Sequence, residues 1–81
     1  MTPLEKVTRA ISGVFDLLCI EESVTLDLRP RDHVDDLGWH EIIMAIEDGA
    51  DFELSDEEAE RARSVADLVA LVEAHALEGA A

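Results

Sequence analysis

The sequence is poor in cysteine, in basic residues and in aromatic residues. Its 81 residues include one Cys, six Lys and Arg, one Trp, two Phe and no Tyr. The single Cys19 excludes an internal disulfide framework and favours a reducing compartment, so we expect a cytoplasmic protein. The sequence has no apolar run of signal-peptide length and no stretch of about 18 apolar residues, so no membrane span is expected.

Acidic residues are abundant instead. Twenty Asp and Glu give a formal net charge of −14. This charge repels nucleic-acid phosphate and anionic lipid, so we expect neither as a partner and favour the basic surface of another protein. The alternative is that the acids serve only solubility. Because 48% of the residues are hydrophobic, the chain is expected to fold.

The chain is short enough for one domain spanning 1–81, with one core at about 3–75 and a frayed tail at 76–81. A chain of this size buries only roughly 60–65% of its unfolded surface and can hardly enclose a deep catalytic cleft. We therefore predict a monomeric binding or carrier module and not an enzyme.

Apolar periodicity predicts the first helix and the loop after it. Thr2 and Pro3 are typical of a helix start, and the expected helix covers roughly 3–18, with a buried face formed by Leu4, Val7, Ile11, Val14 and Leu18. From residue 20 to 38 the periodicity breaks. We expect an ordered loop there, with its apolar residues laid on a helical core, namely Val24, Leu26 and Leu28.

Three further helices are predicted. The second runs from Trp39 to Asp48, buries Ile42, Ile43, Ala45 and Ile46, and is stopped by Gly49. Ser55 with Glu58 forms a capping box for a short third helix to about Ala62. Ser64 with Asp67 opens a last helix that ends near His75, with a buried face formed by Val65, Leu68, Val69 and Val72. The fold class is an all-α bundle of three main helices and one short one.

Four segments in this order resemble the acyl carrier protein family. They are His33-Val-Asp-Asp-Leu-Gly38, Glu41-Ile-Ile-Met-Ala-Ile-Glu-Asp48, Asp51-Phe-Glu-Leu-Ser-Asp-Glu-Glu-Ala-Glu60 and Ser64-Val-Ala-Asp-Leu68. The resemblance covers about residues 4–75 and implies that family's helical bundle.

The segment that carries the prosthetic group departs from the family pattern. The family's Asp-Leu-Gly is followed by one variable residue and then Asp-Ser-Leu, whose serine receives phosphopantetheine at an exposed helix start. Here only Trp39 and His40 separate Gly38 from Glu41, so about five residues of the pattern are absent. We therefore expect a shortened second helix, no serine and no bound cofactor.

Other side chains offer weak substitutes for that serine. Ser55 and Ser64 are explained as helix caps, Ser12 belongs to the first helix and Ser23 to the loop. Cys19 could hold a thioester, but a free cysteine at the end of an apolar helix is typical of a small core residue.

A metal site is a further alternative. Imidazole and carboxylate groups of His33, His40, Asp35 and Asp36 are possible ligands, but their spacing matches no recognised zinc motif. The acidic segment from Asp48 to Glu60 lacks the spacing of a calcium loop. We therefore favour a solvated surface and predict no metal.

The predicted functional feature is an acidic docking surface. The resemblance implies that the second helix presents carboxylates around an exposed methionine to a basic patch on an enzyme. The positions that match are Glu41, Met44, Glu47 and Asp48, with Asp56 near the third helix and Trp39 as a core or partner-binding residue.

These observations favour a scaffold or regulatory protein that docks on carrier-dependent biosynthetic enzymes without carrying an arm. The alternative is an authentic acyl or aminoacyl carrier of fatty-acid, polyketide or related biosynthesis with a non-standard attachment site.

Overall fold

The computed structural model describes residues 2–50 and 52–80, with side chains up to residue 76. Within these residues it contains α-helices, one 3-10 turn and no strand, which confirms the all-α prediction. The elements are α1 (Pro3–Leu17), the 3-10 turn (Pro30–Asp32), α2 (Asp36–Ala50), α3 (Asp56–Arg61) and α4 (Val65–Ala80). No helix in this part of the chain is long and apolar enough to cross a membrane.

The first helix begins as predicted but buries a different set of residues. The Thr2 hydroxyl accepts a hydrogen bond from the Glu5 N–H at 3.2 Å, and Pro3 occupies the first turn. The predicted Leu4 and Leu18 are 45% and 49% exposed, because they lie near the ends of the helix, outside the stretch that meets α2 and α4. The buried residues of the helix are Val7, Ile11, Val14 and Phe15.

The chain leaves α1 through a left-handed residue. Cys19 has φ 58°, its N–H donates to the Asp16 carbonyl at 3.2 Å, and the Ile20 N–H donates to the Phe15 carbonyl at 2.9 Å. This pair of bonds is a Schellman motif, in which glycine is the usual left-handed residue. The prediction that Cys19 is a core residue is wrong, since this turn directs its side chain to solvent.

The long loop is ordered against the core and against α4. Val24 and Leu28 are half-buried beside core residues, as predicted, but Leu26 is 50% exposed. The carbonyls of Leu26 and Leu28 instead accept hydrogen bonds from Ala66 and Val65 at 3.1 and 2.9 Å. These bonds satisfy two N–H groups of the first turn of α4, which have no acceptor within the helix.

The second helix starts earlier and ends later than predicted. An Asp35 carboxylate oxygen accepts the Gly38 N–H at 2.8 Å and caps a helix that begins at Asp36, not at Trp39. Gly49 does not stop the helix. It lies inside α2, which continues to Ala50. Like the other described glycines, it does not adopt the left-handed conformation with which a glycine ends a helix.

Three helices supply most of the core. The core side chains of α2 are Trp39, Ile42, Ile43 and Ile46, and those of α4 are Val65, Leu68 and Val72; Ala45 and Val69 are half-buried. They pack against the buried face of α1. The periodicity of both helices therefore identified the correct buried faces.

The caps predicted for the last two helices are present. Ser55 and Glu58 form a reciprocal capping box at α3, and the Ser64 hydroxyl accepts the Asp67 N–H at 3.3 Å before α4. The last helix continues past the predicted end at His75 to Ala80. The frayed tail stays a prediction, because the side chains of 77–80 and the whole of Ala81 lie outside the described residues.

Candidate partner-docking site

One exposed face of α2 alternates apolar and acidic side chains. Leu37, Glu41, Met44 and Asp48 recur at steps of three and four residues, so they lie on the same side of the helix. All four are exposed, and Leu37 and Met44 keep 68% and 46% of their surface accessible. We call these four residues the α2 stripe. Exposed apolar side chains among carboxylates suit a basic partner surface with an apolar contact.

A groove of about 520 Å³ lies on another side of α2, facing α3. Its lining includes the carboxylate residues Asp36, Glu47, Asp56 and Glu60 and the rim of Trp39. We call it the α2–α3 groove. The concentration of carboxylates gives the groove a negative potential that favours basic groups.

Glu47 has a structural contact that the sequence did not reveal. Its Oε2 atom accepts a hydrogen bond from the backbone N–H of Leu54 at 2.7 Å, and its side chain is half-buried. The carboxylate thereby ties the segment after α2 back onto the helix. A short bond to a charged acceptor is among the stronger hydrogen bonds of a protein. Glu47 therefore has a structural role within the protein, and its docking role stays a prediction.

Trp39 is a core residue with a small accessible rim. It is 8% exposed, and the Arg31 guanidinium lies over its ring, 5.3 Å from the ring centroid. Of the two roles considered for this residue, core packing is the one that its burial favours. Trp39 also contributes to the lining of the α2–α3 groove.

The six residues predicted for docking divide between two surfaces. Glu41, Met44 and Asp48 belong to the α2 stripe, whereas the groove is lined by Trp39, Glu47 and Asp56. Two further residues of these surfaces were not predicted from the sequence, namely Leu37 in the stripe and Arg31 in the lining of the groove. Asp35 is a residue type that often caps helices, and a helix that begins after it includes Leu37 on the same face as Glu41 and Met44. This was the sequence signal that could have identified Leu37.

The structure brings no metal-ligand cluster together in the described part of the chain. No three His, Cys, Asp or Glu side chains there are grouped so that they could hold an ion. His33 is exposed and lies edge-on to Phe15, with ring centroids 6.2 Å apart, and His40 is exposed on α2.

A polar cluster outside the groove joins α3 to α4. His75 Nε2 lies 3.0 Å from Glu58 Oε2, and the His75 ring stacks on Phe52 with centroids 4.4 Å apart. The His75 hydrogen bond, followed by the Ser55 backbone N–H, lowers the pKa of Glu58 below its usual value of 4.5. Glu58 therefore acts both in the cap of α3 and in holding α3 against α4.

Two known proteins that are similar to this chain are both described as acyl carrier proteins. An acyl carrier protein of Akkermansia muciniphila is 40% identical over 76 residues, covering 86% of this chain and 89% of that protein. An acyl carrier protein of Clostridium acetobutylicum is 46% identical over 50 residues, covering 56% of this chain and 65% of that protein. No profile of a protein family matches the chain.

This chain belongs to the acyl carrier protein family.

The start of α2 differs from what the family pattern led us to expect. The sequence predicted an acyl carrier protein whose second helix has lost its first turn. Asp36, Leu37 and Gly38 instead form that turn, with Asp35 as its cap. The helix is 15 residues long, and the prediction of a shortened helix is wrong. The Asp-Leu-Gly segment thus lies inside the helix and not at the end of the loop.

The helix that carries the prosthetic serine in acyl carrier proteins has no serine here. No Ser, Thr, Cys or Tyr occurs in α2. Ser55 and Ser64 cap α3 and α4, as predicted, with oxygen atoms that accept backbone N–H groups at 3.1 and 3.3 Å. Ser12 is half-buried in α1, and Ser23 is exposed in the loop, away from any helix start.

Proposed function

We propose that this acyl carrier protein relative is a docking protein without a prosthetic arm, which binds carrier-dependent biosynthetic enzymes as a scaffold or regulator. The observation that supports the proposal is the residue at the start of α2. Asp36 occupies the first position of the helix and is exposed, and it presents a carboxylate where the family presents a hydroxyl.

The position of Asp36 follows from counting along the helix. In the family pattern, about seven residues separate the glycine of Asp-Leu-Gly from the glutamate of the second helix, and the serine is the third of them. The serine thus lies about five residues before that glutamate. Five residues before Glu41 is Asp36, and its neighbours Asp35 and Leu37 are the residues that flank the family's serine.

A carboxylate at this position cannot hold the arm. Attachment forms a bond between a side-chain oxygen and the phosphorus of the arm, with loss of the other half of the donor's diphosphate. A serine oxygen gives a stable phosphodiester. An aspartate oxygen would give an acyl phosphate, a mixed anhydride of the kind that serves enzymes as a short-lived intermediate. The negative charge of the Asp36 carboxylate also repels the incoming phosphate.

The α2 stripe and the α2–α3 groove supply the docking role. Their carboxylates surround the exposed Leu37 and Met44 on one side and the Trp39 rim on the other. Complementary charge speeds encounter and selects partners more than it adds affinity, so binding should be transient and weakened by salt. The basic partner surface expected from the net charge of −14 fits both surfaces.

The test is incubation with a phosphopantetheinyl transferase of broad specificity and coenzyme A, followed by the mass of the intact protein. The wild-type protein should gain no mass. Asp36→Ser should gain one arm. Arm transfer to the wild-type protein would contradict the proposal and favour the alternative, an authentic carrier with a non-standard attachment site.

Glu41→Ser is the matched control. It places a hydroxyl at a different exposed position of α2, three residues after Gly38, where the Asp-Leu-Gly motif taken alone would put the serine. It should stay unmodified. If Glu41→Ser accepts the arm and Asp36→Ser does not, the assignment of Asp36 to the serine's place is wrong, while the absence of an arm on the wild-type protein still stands.

A further inference from the structure

Three of the six basic residues of this acidic chain meet at one pocket. Arg29, Arg31 and Arg63 line a cavity of about 230 Å³ together with one acidic residue, Asp32. We call this site the arginine pocket. It shares Arg31 with the α2–α3 groove and contains no member of the α2 stripe. In the arginine pocket the balance of charge is the reverse of that in the whole chain.

Backbone hydrogen bonds hold the arginines together from distant parts of the sequence. The Leu28 carbonyl accepts the Val65 N–H at 2.9 Å, which brings Arg29 to the start of α4 beside Arg63. The Asp32 N–H donates to the Arg29 carbonyl at 3.0 Å and closes the 3-10 turn that contains Arg31. The fold therefore fixes the backbone positions from which the three arginine side chains extend.

No guanidinium group of the pocket forms an ion pair with a carboxylate in the described part of the chain, and Arg63 has only a minor electrostatic attraction to Asp67. In the described part of the chain, the ion pairs join Arg61 to Glu57 and His75 to Glu58, and none involves a pocket arginine. The nearby Asp67 carboxylate already accepts the backbone N–H groups of Arg63 and Ser64 at 2.9 and 3.2 Å. Stacking of Arg31 on Trp39 leaves the N–H edge of its guanidinium available.

We propose that the arginine pocket binds a dianionic phosphate group of a small molecule. Guanidinium groups donate paired N–H bonds that match phosphate oxygens, and three of them can neutralise two negative charges. The volume admits a phosphate with several waters, since a water takes about 30 Å³. An acidic macromolecule is disfavoured, because the charge of −14 would repel it over the whole surface, whereas a small anion contacts the pocket alone.

The test titrates inorganic phosphate into the full chain at constant ionic strength and follows amide chemical shifts by NMR. Saturable shifts are expected at the amides of residues 29, 31, 32 and 63–66, with an apparent Kd on the order of 1 mM, as for a ligand of few atoms. Sulfate should compete, and chloride at equal ionic strength should not. Shifts that rise linearly without saturation, or that spread over the whole chain, would overturn the proposal.

Paired variants separate the pocket from general charge. Arg29→Gln with Arg63→Gln should raise the Kd at least tenfold, because it removes two of the three guanidinium groups of the pocket. Both residues are exposed, so their replacement leaves the core intact. Lys6→Gln with Arg9→Gln removes the same charge from α1 and should change the Kd less than twofold. An equal loss in both pairs would show that phosphate senses only net charge and would refute a built site. Circular dichroism verifies that both variants are helical.

Discussion

The Glu47 carboxylate and the backbone N–H of Leu54 form a 2.7 Å hydrogen bond that ties the segment after α2 to the helix. This contact separates Glu47 from the other acidic residues of α2. Charge reversal at Glu47 would disturb the fold and the surface together. The docking surface is therefore best tested at Glu41 and Asp48, which are exposed and belong to the α2 stripe.

The first prediction concerns Glu47 itself. Glu47→Ala should lower the free energy of unfolding by about 1–3 kcal/mol, because it leaves a part-buried N–H without its charged acceptor. Glu47→Gln retains an oxygen acceptor and should lose less. Urea unfolding followed by the fluorescence of Trp39, the single tryptophan, measures both. Equal stability of all three proteins would show that the bond contributes nothing.

The second prediction tests docking in the Asp36→Ser background, with arm transfer as the readout. Glu41→Lys with Asp48→Lys should lower kcat/KM of the transferase at least tenfold, equivalent to about 1.4 kcal/mol, and the loss should shrink as salt is added. Asp16→Lys with Glu73→Lys is the control, since it makes the same charge change at exposed positions of α1 and α4. A similar loss of kcat/KM in the control would show that the transferase responds to the net charge of the protein and not to the α2 stripe.

The third prediction contrasts two glycines. A Cβ atom on Gly38 would lie 2.8 Å from Cβ of Val34, whereas nothing lies within 4 Å of one on Gly13. Gly38→Ala should therefore cost about 1–3 kcal/mol through overpacking, despite the better helix propensity of alanine. Gly13→Ala, on the exposed side of α1, should gain up to about 1 kcal/mol. Thermal unfolding of the two variants should shift in opposite directions.

The fourth prediction follows from the left-handed Cys19. A non-glycine residue in this conformation costs roughly 1–2 kcal/mol. Cys19→Gly should recover part of that cost and raise the urea midpoint, although glycine adds entropy to the unfolded chain. Cys19→Val is the informative opposite, because its branched side chain tolerates positive φ least. A destabilised glycine variant would mean that the strain at Cys19 is smaller than the entropy that glycine adds to the unfolded chain.

The fifth prediction concerns pH. The pKa of Glu58 is lowered in the folded state, so its contribution to stability is complete above the unfolded value of 4.5 and disappears as pH falls through the lower folded value. The stability difference between the wild-type protein and Glu58→Gln should thus be fully developed once the pH is above 4.5, and its pH-dependent part should disappear well below 4.5. Protonation of the other carboxylates is common to both proteins and cancels in the difference.

The adjacent Glu57 provides the control for this experiment. Its side chain is 85% exposed and lies 3.9 Å from Arg61, a contact of the kind that contributes little. Glu57→Gln should differ from the wild-type protein by less than about 0.5 kcal/mol at every pH. A pH profile for Glu57→Gln that matches that of Glu58→Gln would assign the effect to total charge.

Local sequence signals predicted much of this fold, and their failures have physical causes. Periodicity and side-chain caps identified the four helices, because amphipathic spacing and capping boxes act within one or two turns. The prediction that Leu4 and Leu18 are buried was wrong, because burial near the end of a helix depends on which other elements pack beside it. The left-handed Cys19 carried no local signal, because glycine is the residue that usually marks that turn.

The candidate site was harder to predict than the fold. The Asp-Leu-Gly sequence is identical to a loop segment of the family, so it was assigned to the loop. In the structure these residues form the first turn of α2, with Asp35 as its cap. Glu41, Met44 and Asp48 followed from the resemblance to the family's second helix. The contact of Glu47 with Leu54 and the meeting of three arginines depend on the path of the chain after a helix ends, which no local pattern encodes.

The bonds from Leu26 and Leu28 to the first turn of α4 make two distant parts of the chain one cooperative unit. The amide protons of Val65 and Ala66 can exchange with solvent deuterium only when residues 26–28 lift away. Detachment of residues 26–28 therefore exposes both amides in a single opening event, whose free energy would be read from the exchange rates of these two amides.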